Sequence, residues 1–592
     1  MASTESGHTT DDLLGCASSG KPEDKRGETK KEDSQAKQIL ILMNDNAVEL
    51  FHDAEPKPYI TIPVGEHRET YLLESRVVRR WLAYQYYQRH GSAPSPNAVN
   101  MARLTLEGQA LFEGKQHEVH IRVAEDRGAI ILDLCDEHWR VIRIDAAGWN
   151  VLPTSPVRFR RSAGMLPLPV PERGGSLSDL QMFLNVQSEA DLILVTSWLV
   201  AAARNRGPCP VLGLHGEQGS AKSTASRVLR RLIDPNKSEI RAEPREARDL
   251  VIAANNSWVI ALDNLSHIPP WLSDSLCRLA TGGGFSTRTL YTDADEMIFE
   301  AQRPILVNGI EELAVRGDLA DRSIILTLPR IKEKGYRTES QFWMEFEAAR
   351  PHLLGALLDA VSMALRRLPE VSVEEPTRMA DFTAWVVAAE PALPWEPGTF
   401  VKAYKDNRKS ANEVALEASP VAMELMGFIS ETYPWSGSCK DLLAELERRA
   451  TEGTKKLPSW PKTPRKLAGV LRRLGPNLRA SGIEIELGGK EGRGRDRHRV
   501  VRIRLTSQPS PSSPPTPDPE TDARMGTYDG SGGDGQGDGC ADKDANRPHN
   551  RPSVSTRNPS EGDDGAGGDG SVGDPGTDPN HDVSPEDEWG SV

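Results

Sequence analysis

Short runs with the signature of strands dominate the first third of the chain. YITIPV (59–64), EVHIRVA (118–124), AIILDL (129–134) and WRVIRI (139–144) alternate or cluster their apolar residues as half-buried and fully buried strands do. One stretch, Ser75 to His90 (SRVVRRWLAYQYYQRH), has helical spacing instead. The mixture predicts an α+β module over residues 37–180, ending in the Pro/Gly-rich link LPLPVPERGG. Within it, Arg158, Arg160 and Arg161 either offer charge to phosphate or decorate a solvated strand.

Farther along, apolar runs near 210–215, 257–263 and 303–308 each end in glycine or a polar residue, the pattern of buried parallel strands with chemistry at their C-terminal ends. They define a region at 185–335. Residues 336–415 turn helical, with Trp, Phe and Met at packing spacing, and residues 416–506 read as three helices and two strands. Pro476 is expected to break the third of those helices. The ends, 1–36 and 507–592, are rich in Ser, Gly, Pro and charged residues and bury too little apolar surface to offset ordering, so both are expected to be disordered. The whole is a multidomain α/β chain without an internal repeat.

Charge is divided unevenly. The formal net charge is −14, yet residues 508–592 hold 18 Asp/Glu against 5 Lys/Arg, leaving the rest at −1. Acidity is a property of the tail, which either solubilises the chain or shields a basic site within it. The six cysteines lie far apart, without the spacing of a zinc site or disulfide framework. The most apolar stretch, Leu192 to Ala203, is shorter than the roughly 20 residues of a membrane span, and the first residues lack signal-peptide character. A cytoplasmic protein with no membrane partner is expected.

The sharpest chemical signal is PVLGLHGEQGSAKST (210–224). Gly216, Glu217, Gln218, Gly219, Ser220, Ala221, Lys222, Ser223 and Thr224 fill the Walker A frame, with Ala221 where a last glycine is usual. Successive amides of such a loop and the following helix cradle phosphates, Lys222 brings charge to the outer ones, and the Ser223 hydroxyl ligates magnesium. ATP and Mg2+ are the implied cofactors. Ala221 suits helical torsions but would be strained at positive φ. Asp263, ending SWVIALD, is the second magnesium partner, a Walker B carboxylate. Asn264 stands where many such ATPases carry a water-holding Glu, which leaves the general base unassigned: either hydrolysis is slow or it draws on another carboxylate such as Glu243, Glu246 or Asp274. Asn308, ending PILVN, stands where AAA+ and related proteins carry a γ-phosphate sensor, and Arg322, with Arg316 competing, where ring ATPases carry an arginine finger, roles that this resemblance implies.

This order of motifs resembles AAA+ ATPases, and more specifically superfamily 3 helicases and phage or plasmid primase-helicases, over about residues 185–335. The resemblance implies a P-loop NTPase core in a homo-oligomeric ring. It implies that Thr281, Gly282, Gly283 and Gly284 turn into a hairpin whose Arg288 and Tyr291 face DNA in the pore, and that Arg322 acts on the neighbouring subunit's nucleotide. No primase signature is visible in residues 37–180. The chain also resembles putative ATP-binding proteins of actinobacterial mobile elements, which leaves function open.

Between Lys455 and Leu505 there are 15 Lys/Arg against 4 Asp/Glu. Three helices followed by a basic hairpin outline a winged helix, with Arg465, Lys466, Arg472, Arg473 and Arg479 on its third helix and Arg493, Arg495, Arg497 and Arg499 in the wing. The expectation is an ATP-hydrolysing DNA helicase or remodelling motor in mobile-element replication. The alternatives are a nucleotide-controlled DNA-binding switch with little hydrolysis and a defence or signalling ATPase whose basic module binds protein.

Overall fold

The computed structural model describes residues 34–266, 268–283, 285–288, 296–299, 301–309, 317–331, 337–373, 377–491 and 498–505. The expectations for Tyr291, Arg316, Gly284, Arg493, Arg495, Arg497 and nearly all of the two ends lie outside them, as do those for the side chains of Arg288 and Arg499.

The chain begins with α1 (Gln35–Asp45), β1 (Glu49–His52), β2 (Pro58–Val64), β3 (His67–Leu72), α2 (Arg76–His90) and α3 (Pro96–Phe112). Serines 34, 75 and 95 cap the three helices, each hydroxyl accepting from the amide three residues on. Ile39, Met43, Ile60, Val78, Leu82 and Leu106 form a core of their own. β4 (Lys115–Gln116) completes a sheet of order β3-β2-β1-β4.

Next come β5 (Val119–His120) and an antiparallel meander of β6 (Val123–Asp126), β7 (Ala129–Asp133), β8 (Val141–Asp145) and β9 (Gly148–Leu152). β10 (Arg158–Phe159) pairs with β5. The two faces of this meander go to different cores: Ala124, Ala129, Ile131 and Val141 form a small cluster with Phe159, while the other face joins a larger one. Ile130, Leu132, Ile142, Ile144 and Trp149 belong to the same apolar cluster as the central helices, so residues 37–180 comprise one self-contained piece and one piece fused to its neighbour. Periodicity shows which strand face is apolar but not what covers it. The three arginines considered for phosphate are engaged internally: Arg158 pairs with Glu49, Arg160 donates to the Asn255 carbonyl, and Arg161 pairs with Asp133 at 2.7 Å.

The central region holds α4 (Glu189–Ala202), β11 (Val211–His215), α5 (Lys222–Ile233), α6 (Ala247–Asn256), β12 (Ile260–Leu265), α7 (Pro270–Thr281), β13 (Phe285–Arg288), β14 (Glu296–Phe299), β15 (Ile305–Gly309), α8 (Gly317–Ala320) and β16 (Ser323–Thr327). Its sheet is parallel, in the order β12-β15-β11-β16. Every residue of β11 and β15 is buried, which explains their unbroken apolar runs. The apolar stretch from Leu192 forms most of α4, whose residues from Ile193 to Ala202 are all buried in the core. No helix among the described residues is long and apolar enough to cross a membrane.

The helical region consists of α9 (Glu339–Arg367), α10 (Ala380–Ala389) and α11 (Thr399–Glu417). α9 carries Pro351 in its interior, and the Pro351 carbonyl accepts from the amide of Glu172 at 3.0 Å. The Pro/Gly link therefore lies along α9, and Gly355 permits the approach: a Cβ there would sit 1.8 Å from the Glu172 carbonyl oxygen.

The chain continues through α12 (Pro420–Thr432), β17 (Trp435–Ser438), α13 (Cys439–Arg449), α14 (Glu452–Lys456), α15 (Pro464–Ala480), β18 (Ile483–Glu491) and β19 (His498–Leu505). Leu425, Phe428, Leu442, Leu446, Leu471 and Ile503 form its core. The sheet has three strands, order β17-β19-β18, not two. β17, with sequence WSGS, is a short and partly exposed edge, too weak a pattern to read from sequence. A second correction concerns Pro476: α15 runs through it to Ala480. A proline this close to the end removes a single ladder bond, and buried Leu478 together with Asn477, which donates to Asn412 at 3.1 Å, holds the last turn in place.

Candidate functional site: a glycine-bearing loop and two strand ends

The loop that follows β11 has its shape set by close approaches. Gly216 has φ of 145°, and a Cβ there would lie 2.5 Å from the Leu328 carbonyl oxygen and 2.7 Å from the Ser220 hydroxyl. No other residue fits. Ser220 is buried and donates to the Glu217 carbonyl at 2.8 Å. Asn185 donates to the carbonyls of Ser220 (3.2 Å) and Pro329 (2.6 Å), tying the loop to segments before and after it in sequence. The motif gave no hint of Asn185, because a lone asparagine in a linker has no signature.

Ala221, which opens α5, has φ 61° and ψ 29°. This is the strained left-handed alternative, not the helical torsions that would suit alanine. No side chain caps α5, so the amides of its first turn remain available to an anion. The Lys222 ammonium donates to the carbonyls of Gly216 (2.6 Å) and Glu217 (2.9 Å), which holds it over the loop. Glu217 and Gln218 are exposed at the loop tip, with Thr224 in the first turn of the helix.

Ser223 and Asp263, forty residues apart, meet: the Ser223 hydroxyl donates to Asp263 Oδ1 at 2.9 Å. A register shift in β12 between Leu262 and Leu265 marks the strand end at which Asp263 turns out of the ladder. The backbone of Asp263 is held from the far side by Arg241, whose carbonyl accepts its amide at 2.7 Å. A serine hydroxyl beside a carboxylate is a hard oxygen pair of the kind that suits Mg2+.

Asn264 has φ 53° and an exposed side chain. Its amide donates to Asn308 Oδ1 at 2.7 Å, while Asn308 Nδ2 donates to the Ser226 hydroxyl at 3.0 Å. Asn308 is 1% exposed, and both ends of its amide serve to tie β15 to β12 and α5. Ser226, one turn beyond Ser223, was not singled out by the motif. Glu243, Glu246 and Asp274 are all exposed.

Two cavities of about 800 Å³ flank the loop. One is walled by Phe183, Leu184, Ala221, Thr224 and Trp343, the other by His215, Gln218, Leu328 and Val414.

Arg322 lies at the other edge of the sheet. β16 runs parallel to β11, with Ser323 beside Val211 and Thr327 beside His215, so Arg322 starts the strand whose far end reaches the loop. Its guanidinium donates to the Asp318 carbonyl at 2.8 Å. Asp321 turns instead to Arg378 (2.8 Å) and Arg408 (3.2 Å). The Thr-Gly-Gly sequence proves to be a helix end: Thr281 closes α7, and Gly282 at φ 85° caps it. β13 and β14 then pair antiparallel, with Arg288 opposite Glu296. In the C-terminal bundle Arg465, Lys466, Arg472, Arg473 and Arg479 are all exposed on α15.

The comparisons place the chain among replication proteins of mobile elements. Residues 176–407 match the family described as actinomycete integrative conjugative element replication protein, and residues 421–518 match its C-terminal domain, AICE RepA C-terminal. Together they cover more than half of the chain, which over these regions belongs to that family. Solved structures similar to it include the apo C-terminal region of NrS-1, with a TM-score of 0.35 and 11% identity over 79% of this chain and 99% of that one. A further structure of the same region gives 0.36 and 12% over 80% and 100%. No curated protein matches the chain.

Proposed function

We propose that the chain is an Mg-dependent P-loop ATPase of the AAA+ or superfamily 3 type that works as a DNA helicase or remodelling motor in replication of its mobile element. The observation that carries this reading is the contact of Ser223 with Asp263 beside a loop over which the Lys222 ammonium is held. Lys222 would exchange its two carbonyl partners for phosphate oxygens, and the free amides of α5 would hold the rest. Ser223, and Asp263 through water, would hold magnesium, which supplies neutralising charge to the outer phosphates. Asn308 would act from below, fixing the strand end that presents Asp263 and Asn264. Arg322, which precedes β16 and so lies at the opposite end of the sheet from its own loop, is suited to serve a neighbouring subunit in a ring.

The helix–strand–helix–helix–helix–strand–strand order of the C-terminal bundle, in which α14 is a short insertion, supports a winged helix with its β17-β19-β18 sheet. The exposed cations of α15 would then meet duplex phosphate. A second reading, a nucleotide-controlled DNA-binding switch, is favoured by Asn264, which puts an amide where a water-activating carboxylate would serve hydrolysis. Steady-state ATP turnover with and without DNA separates the two. A motor requires DNA-stimulated turnover abolished by Lys222→Ala and by Arg322→Ala, with partial recovery when the two variants are mixed. Tight ATP binding without turnover under any DNA condition would leave the switch.

A further inference from the structure

The role of the N-terminal piece is not explained by the nucleotide loop or by the basic bundle, and one of its helices stands apart. α2 (RVVRRWLAYQYYQRH) carries four arginines and no acidic residue. Val78, Leu82 and Tyr86 are buried and anchor one side of the helix to its core. At 100° per residue the opposite side presents Arg76, Arg80, Tyr84 and Tyr87 as a single stripe, with Arg79 flanking it. All five are exposed, and the two rings to 56% and 53%.

Arginines on the neighbouring elements are neutralised or tethered, whereas Arg89 at the end of α2 is exposed like those of the stripe. Arg68 donates to the Ala47 carbonyl, Arg103 pairs with Glu107, Arg158 with Glu49 and Arg161 with Asp133. The arginines of the α2 stripe have no ion-pair or hydrogen-bond partner among the described residues, and neither do the hydroxyls of Tyr84 and Tyr87. Exposed arginines and exposed tyrosines are each ordinary on a protein surface. Here both persist on one stripe about 16 Å long.

We infer that this face of α2 binds single-stranded DNA. The arginines meet phosphates, and Tyr84 and Tyr87 take unstacked bases on their rings. A duplex keeps its bases stacked inside and offers the rings nothing. An acidic peptide would satisfy the arginines but has no use for two flat aromatic faces. The cation half and the aromatic half of the stripe together call for a ligand that is anionic on one edge and planar on the other. The inference does not rest on the nucleotide site, and a failure of ATP binding leaves it intact.

The test uses the full chain and fluorescence anisotropy with a labelled oligothymidylate and a duplex of equal length. Because α15 also attracts phosphate, the measurements are repeated in an Arg472→Ala, Arg473→Ala background. In both backgrounds the pair Tyr84→Ala, Tyr87→Ala is expected to weaken oligothymidylate binding by about tenfold or more. Tyr84→Phe, Tyr87→Phe should retain it, since the phenyl ring still stacks, and duplex affinity should not move. Arg76→Ala, Arg80→Ala should flatten the slope of log K against log salt by about 1.4, two single-strand phosphates' worth. Unchanged oligothymidylate binding by the alanine pair would overturn the inference, as would an equal loss for duplex. Circular dichroism checks that these surface variants remain folded.

Discussion

Arg122 and Asp234, 112 residues apart in sequence, form an ion pair at 3.0 Å from which water is wholly excluded, both side chains being 0% exposed. The rest of the guanidinium donates to the carbonyls of Asp133, Leu166 and Pro235. Asp234 Oδ2 accepts the amides of Trp258 (2.9 Å) and Val259 (3.1 Å) at the entry to β12. One buried carboxylate thus holds the start of the strand that ends in Asp263, and one buried arginine joins it to the preceding meander. Arg122→Ala would leave Asp234 with only the more distant Arg230, at 3.9 Å, as a buried cation, an expected loss toward the lower end of about 3–5 kcal/mol. Urea unfolding measures it. A loss below about 1 kcal/mol would mean that the two regions are coupled through apolar packing alone.

Ala221 is the second point of stored cost. A left-handed alanine is disfavoured by roughly 1–2 kcal/mol, part of which a glycine returns as added freedom of the unfolded chain. Ala221→Gly is therefore expected to raise stability by about 0.5–1 kcal/mol while leaving the loop's amides where they are. Thermal unfolding reads the gain, and a fall in melting temperature would show that the methyl group packs favourably.

Asn308 acts through two hydrogen bonds, the one to Ser226 buried and the one from the Asn264 amide part-buried. Asn308→Ala strands the Asn264 amide and one acceptor position of Ser226, for an expected cost of about 1–3 kcal/mol. If Asn308 holds the strand end rather than touching ligand, Asn308→Ala should impair nucleotide binding and stability together. Lost turnover with unchanged unfolding and unchanged nucleotide affinity would assign it a direct part in the chemistry.

His120 provides a pH signature. Burial drives its imidazole below the ordinary value of 6.5, helped by Arg206 and Arg303 and opposed by Glu118. The ring is therefore neutral in the fold over a range where the unfolded chain takes up a proton. Stability from this group is complete above pH 6.5 and declines as pH falls below that value. His120→Asn should flatten the dependence of melting temperature on pH between neutrality and about pH 5. An unchanged profile would move the titration to another group.

Much of the site was legible in the residues. Gly216, Gly219, Lys222 and Ser223 could be read because a backbone that wraps phosphate needs glycine and a cation at fixed spacing. Asp263 and Asn308 could be read because a buried parallel strand is apolar until its last residue. The β13–β14 hairpin was implied only by the family resemblance, and its register, Arg288 opposite Glu296, was not legible. Other features were hidden. The torsions of Ala221, the clamp by Asn185 and the buried partners of Asn308 depend on segments distant in sequence. β17 and the continuous course of α15 through Pro476 depend on what packs against them.

The sequence by itself determined the local devices: strand ends with polar residues, a glycine-bearing loop opening a helix, and a basic helix next to basic strands. These follow from periodicity and backbone sterics, which act over a few residues. Only the tertiary structure decided that Ser223 meets Asp263, that the β6–β9 meander shares the central core, and that Arg122 is sealed against Asp234. Those outcomes rest on burial and pairing between segments 40 to 112 residues apart, for which no short-range pattern exists.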